Sequence, residues 1–156
     1  MTSQGTVCET MGVFTLILDG SQRASELVAQ GKYDVANIWF TDERFPIEKH
    51  APLTRRIEFI ELDHDSTSEE ALTELRRRGL ERPTYEEALA FGAKYPEEQK
   101  RRHVIVFLHK PVLGGPNGPR FVLALRGNAC RRYLVLRLYD GRWSRHYVFA
   151  GVRKSN

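Results

Sequence analysis

Apolar positions recur along this chain first with the period of strands, then with that of helices, then with that of strands again. Val13 to Leu18 (VFTLIL) is a β-branched run closed by Asp19-Gly20, the pattern of a buried strand entering a turn. Ser21 follows as a helix cap, Ala24, Leu27 and Val28 recur at helical spacing, and Gly31 supplies a stop. Asp34 to Phe40 (DVANIWF) predicts a second strand, with Val35, Ile38 and Trp39 as its apolar residues. After an irregular stretch bracketed by Phe45-Pro46 and Ala51-Pro52, Arg55 to Asp63 (RRIEFIELD) alternates apolar with charged residues, as a half-buried strand does. The order strand, helix, strand suggests a β-α-β unit, although the piece is shorter than a parallel crossover ordinarily needs.

Ser66 or Ser68 opens a helix that carries Glu69 and Glu70 in its first turn, Leu72 and Leu75 on its inner face and Arg76 to Arg78 before Gly79. Acid at the start and base at the end both suit the helix dipole. Thr84 with Glu87 three residues on is a capping box for a second helix bearing Ala88, Leu89 and Phe91, which Tyr95-Pro96 interrupts; Glu97 to Arg102 adds a further turn. From His103 the pattern is strand: HVIVFLH, the loop GGPNGP at 114–119, RFVLALR, RRYLVLRLY and WSRHYVFA. The expected fold is α+β: an antiparallel C-terminal sheet, a packed helical hairpin, and the N-terminal strand-helix-strand piece completing the layer.

Residues Arg78 to Pro96 (RGLERPTYEEALAFGAKYP), the strand at 104–108 and the closing YVFAGVRK resemble a family of small uncharacterised bacterial proteins. The resemblance implies a compact helix-pair-plus-sheet domain. It implies no activity and transfers no site residue.

With 156 residues, 41% of them hydrophobic, the chain suffices for one core, expected over residues 12–156 behind a flexible tail of residues 1–11 in which Met11 is an alternative start. Its apolar runs are far shorter than the roughly 20 residues of a membrane span. The amino terminus lacks the layout of a secretory signal, which makes the cytoplasm the default location. Cys8 and Cys130 have no metal-ligand spacing and read as free thiols. Charge is the most uneven property: residues 1–100 hold 12 Lys and Arg against 19 Asp and Glu, whereas residues 101–156 hold 12 basic residues and only Asp140 on the acidic side. Such segregation produces either a basic surface for a polyanion or an internal pairing of acidic helices with a basic sheet.

A two-residue turn at Asp140-Gly141 would set a register that makes this choice concrete, opposing Tyr139 to Arg142 and Leu138 to Trp143. One face would then collect Leu134, Leu136, Leu138, Trp143 and Tyr147 as core. The other would collect Tyr133, Arg137, Tyr139, Arg142, Ser144 and His146, an aromatic and basic surface suited to stacking unpaired bases and neutralising phosphates. Arg145 falls on the core face and is the misfit in that register. The alternative covers the same face with Glu69, Glu70, Glu74, Glu86 or Glu87. Catalytic candidates are sparse: His103, His109 and His146 could serve a metal-independent ribonuclease. His64 between Asp63 and Asp65 reads as a turn rather than a metal site, GGPNGP as a hairpin connection rather than a phosphate loop, and the helix pair as packing rather than a DNA-reading unit, because Glu86 and Glu87 would face phosphates. No cofactor is implied. Three functions remain open: a non-enzymatic module for RNA or single-stranded DNA, a protein-binding adaptor or inhibitor using its charge polarity, and a small ribonuclease.

Overall fold

The computed structural model describes residues 13–153, so the predicted N-terminal tail, with Cys8 and Met11, lies outside the described residues. The first half of the chain forms β1 (Val13–Leu18), α1 (Ala24–Gly31), β2 (Val35–Ala36), β3 (Leu53–Ile60), β4 (Ser66–Thr67) and α2 (Ser68–Arg77). The second half forms β5 (Leu80–Glu81), α3 (Tyr85–Lys94), α4 (Pro96–Arg102), β6 (Val104–Leu113), β7 (Arg120–Gly127), β8 (Arg132–Leu138), β9 (Arg142–Trp143) and β10 (Val148–Arg153). The α+β class predicted from the pattern is the one observed. The main sheet has the order β1-β3-β10-β6-β7-β8-β2, with β5 added alongside β10, while β4 and β9 form a separate two-stranded piece.

Most pairings are antiparallel, and two are parallel: β10 with β6 and β2 with β8. The middle of the sheet buries both faces. On one, α1, α3 and α4 cover a core rich in aromatic rings, where Phe14 meets Phe91 at 5.3 Å and Tyr95 at 5.1 Å between centroids. On the other, α2 and the β4/β9 piece cover Val104, Val106, Leu108, Val122 and Ala124. Burial on both sides is why β6 reads as an unbroken apolar run over 104–108.

The helices on either side of Gly79 therefore do not pack as a hairpin: α2 contributes Ala71, Leu72 and Leu75 to one core and α3 contributes Ala88, Leu89 and Phe91 to the other. The N-terminal piece likewise departs from a β-α-β unit. β1 pairs antiparallel with β3 at one edge, and the chain crosses through α1 to place β2 at the opposite edge beside β8. The second predicted strand is cut to Val35–Ala36 because Asn37 turns the chain, accepting the Trp39 N–H on its side chain at 2.8 Å. Ser21 is not a cap, since the helix starts later with Arg23 at its N-cap.

The largest correction concerns Asp140-Gly141. β8 and β9 do not pair with each other: β8 pairs with β7 and β2, and β9 crosses to β4, setting Trp143 opposite Ser66. The physical reason is the indole. Trp143 is buried and its Nε1–H donates to Ser68 Oγ at 2.9 Å, while that hydroxyl donates to the Tyr139 carbonyl at 2.7 Å.

Candidate functional site

β6 changes its partners midway. Val148 and Phe149 of β10 run parallel to Ile105 and Val106, but Val152 and Arg153 have β5 as their neighbour, and β6 swings away. On its other side β6 bulges: from Phe107 to Val112 it advances five residues while β7 advances two. A splayed strand leaves backbone groups to satisfy, and two side chains do so. Arg82 Nε donates to the Leu108 carbonyl at 2.9 Å. The His109 ring fills the bulge, with Nε2 accepting the Leu123 N–H at 3.0 Å and Nδ1 donating to the Lys110 carbonyl at 2.7 Å.

Beyond this split lies a cleft of about 900 Å³. It opens at the carboxyl ends of the parallel strands β6 and β10, the position at which open sheets form ligand crevices. Pro46 and Ile47 line it from the β2–β3 connection, Leu72 from α2, Leu80 and Pro83 from the segment between α2 and α3, and Tyr85 from the start of α3. The walls are thus mainly apolar. Tyr85 fixes one side by donating its hydroxyl to the Pro46 carbonyl.

Local chemistry places the lip. Thr84 caps α3, accepting the Glu87 N–H at 3.1 Å while Glu87 Oε1 accepts the Thr84 N–H at 2.8 Å, the predicted capping box. Glu87 is buried, and desolvation raises its carboxyl above the ordinary value against the opposing pull of the Thr84 N–H and Arg55. Glu86, one position earlier, faces the cleft and meets His50 Nε2 at 2.9 Å. His50 Nδ1 also donates, to the Ala51 carbonyl at 2.7 Å. Both nitrogens face acceptors, an arrangement that favours the imidazolium, and the pKa is raised by the Ala51 carbonyl first and Glu86 second. The stabilisation from this pair is fully present below the unfolded value near 6.5 and is lost as pH rises through the higher folded value. His109 is shifted the opposite way, down to about 4, because burial penalises its charged form.

The six residues predicted as a nucleic-acid surface divide between two places. Tyr133, Arg137 and Tyr139 do share one face of β8, but Tyr139 is only 5% exposed and donates its hydroxyl to Glu69 at 2.8 Å, so α2 covers that end. Tyr133 is half-buried under the Arg126 guanidinium, 4.3 Å from its ring centroid, and Arg137 lies over Tyr147 at 5.6 Å. Arg142, Ser144 and His146 line a shallow depression with Asp63, His64, Asp65 and Arg145. Arg145 is exposed there rather than inside a core, which removes the misfit of the hairpin register. The charge segregation is partly cancelled within the fold, through Arg153 with Glu58 at 2.7 Å and Arg102 with Glu61 at 3.4 Å.

The ribonuclease histidines are not brought together. His103 and His109 flank opposite ends of the straight part of β6, separated by roughly 20 Å of strand, and His146 lies in the exposed segment before β10. Among the described residues no group of three or more His, Cys, Asp or Glu could hold a metal ion, and His64 is engaged with Asp63 at 2.8 Å. Cys130 is a free, exposed thiol. No helix of the described residues is long and apolar enough to cross a membrane.

Sequence reasoning missed His50, Arg82, Tyr85 and Glu86 as neighbours. Tyr85 and Glu86 stood beside a recognised cap, but nothing local linked them to residues 46–50 or to His109. No protein-family model, curated protein or solved structure matches this chain.

Proposed function

We propose that this chain is a binding domain whose cleft at the carboxyl ends of β6 and β10 holds a small, largely apolar ligand. The observation that supports this reading is an apolar-walled cleft of about 900 Å³ in which both histidines have spent both ring nitrogens inside the fold. A histidine so engaged offers a ligand no free lone pair. Retention of a ligand needs no such group.

The test is binding of an environment-sensitive anilinonaphthalene dye. Ile47→Trp, which places an indole in the cleft mouth, is expected to weaken dye binding roughly tenfold or more while the protein keeps its parent circular dichroism spectrum. Ile38→Ser, at a residue 87% exposed on another surface, is expected to change nothing. Undiminished binding in Ile47→Trp together with loss in Ile38→Ser would move the site away from the cleft.

Single-strand binding is the second reading, and it is favoured by Arg126, Tyr133 and Arg137 on adjoining strands. Its signature is an affinity for an oligonucleotide that falls steeply with salt and flattens by about one phosphate contact in Arg137→Gln. A parent protein with no measurable oligonucleotide affinity at low salt rules it out.

A further inference from the structure

The cleft contains a cation with no counter-ion among the described residues. Arg82 is half-buried and is pinned by its Nε to the Leu108 carbonyl, so the guanidinium is oriented before any ligand arrives. Its other polar neighbour is the Tyr139 hydroxyl, which donates to Glu69 and accepts from Arg82. No ion pair engages Arg82 among the described residues. Arg76 and Lys110 line the same cleft, and among the described residues Arg76 has only the Thr73 hydroxyl, at 3.3 Å, as a side-chain partner. Of the lining carboxylates, Glu86 is neutralised by His50 and Glu81 is itself engaged, which leaves Glu48 on the loop lip. A partly desolvated arginine facing apolar walls is unfavourable unless an anion completes it, and a pinned guanidinium presents its remaining N–H groups as a fork matched to a carboxylate.

Resting on the cleft reading above, we propose that the ligand is an apolar carboxylate whose head is gripped by Arg82, with Lys110 and Arg76 adding positive charge at the mouth and the chain lying against Ile47, Leu72 and Leu80. The two halves of this recognition are separable. The tail contributes through burial, so each added methylene tightens binding roughly three- to fourfold. The head contributes through charge-assisted hydrogen bonds, which a neutral head of the same size cannot form with equal strength.

The experiment is isothermal titration of the whole chain with octanoate, decanoate, decanamide and decyl phosphate, against the parent and the Arg82→Gln, Arg82→Lys and Lys110→Gln variants. Decanoate is expected to bind more tightly than octanoate and roughly tenfold or more tighter than decanamide. Arg82→Gln removes that preference, Arg82→Lys retains part of it, and Lys110→Gln weakens decanoate several-fold without affecting decanamide. Equal affinity for decanoate and decanamide overturns the anionic head and leaves the cleft reading standing. Decyl phosphate binding more than tenfold tighter than decanoate overturns the carboxylate in favour of a phosphate. If none of the four binds and the dye is insensitive to Ile47→Trp, both the inference and the cleft reading fall. Should Arg82→Gln fail to fold, the Lys110→Gln and decanamide comparisons decide the question alone.

Discussion

The two ends of β6 solve the same problem, an arginine inside the fold, in opposite ways. At the end where β6 begins, Arg132 of β8, beyond β7, is 6% exposed and spends its guanidinium on two main-chain carbonyls, Gly31 at the close of α1 and Gly92 in the last turn of α3 at 2.7 Å, and on the Gln99 side-chain oxygen of α4 at 3.1 Å. The carbonyls at helix C-termini carry partial negative charge and have no partners within their own helices, so the cation is stabilised without a carboxylate. Gln99 completes the closure by donating to the carbonyls of Arg126 and Tyr133. A Cβ at Gly92 would meet the Tyr33 hydroxyl at 1.9 Å, so a larger residue there would have to displace the Tyr33 ring. At the other end, Arg82 has one main-chain carbonyl, the Tyr139 hydroxyl and the edge of an apolar cleft. The closed end is a structural joint, whereas the open end has unspent donors and space beside them.

The comparison breaks first at Arg132. Arg132→Met leaves carbonyls of two helices and a glutamine without their donor, and the expected loss is about 3 to 5 kcal/mol, measured by urea unfolding. Arg132→Lys should recover only a part, because an ammonium cannot span three directions in one plane. A loss below about 1 kcal/mol would mean that the joint does not depend on this residue.

His109 gives the next largest effect, and its sign follows from its lowered folded-state pKa. The unfolded chain takes up the proton near 6.5 and the folded chain only near 4, so this contribution is present above 6.5, is lost as pH falls from there to about 4, and is constant below. The expected size is on the order of 3 kcal/mol. A His109→Gln variant should lack this part of the acid slope; unchanged slopes in the two proteins would show that the ring is not held neutral in the bulge. His50 acts in the opposite sense and adds its stabilisation on the acid side, so the difference between the variants, rather than either curve alone, reports on His109.

The smallest effect separates a covered face from an open one. Tyr139→Phe loses a hydroxyl bond to the Glu69 carboxylate and should cost about 1.5 kcal/mol, with no change in oligonucleotide affinity. A fall in that affinity at constant stability would instead return Tyr139 to a stacking role.

What could be read from the sequence was whatever depends on neighbours a few residues away. Thr84 and Glu87 cap α3 as their spacing predicts, Tyr95-Pro96 ends it, and β1, β7 and the 114–119 connection stand where the alternation and the glycines put them. These follow from backbone geometry within one turn or one strand. The outcome changed wherever a distant partner could compete. Thr67 caps α2, rather than Ser66 or Ser68, because Ser68 is buried between Trp143 and the Tyr139 carbonyl. Asp140-Gly141 is turn chemistry in either arrangement, yet β9 pairs with β4, where Trp143 is buried against α2 with its indole bonded to Ser68. The cleft is the extreme case. Its lining runs from Pro46 to Lys110 and exists only because β10 exchanges β6 for β5 partway along, a choice set by which faces are buried across the whole sheet and by no run of residues within it.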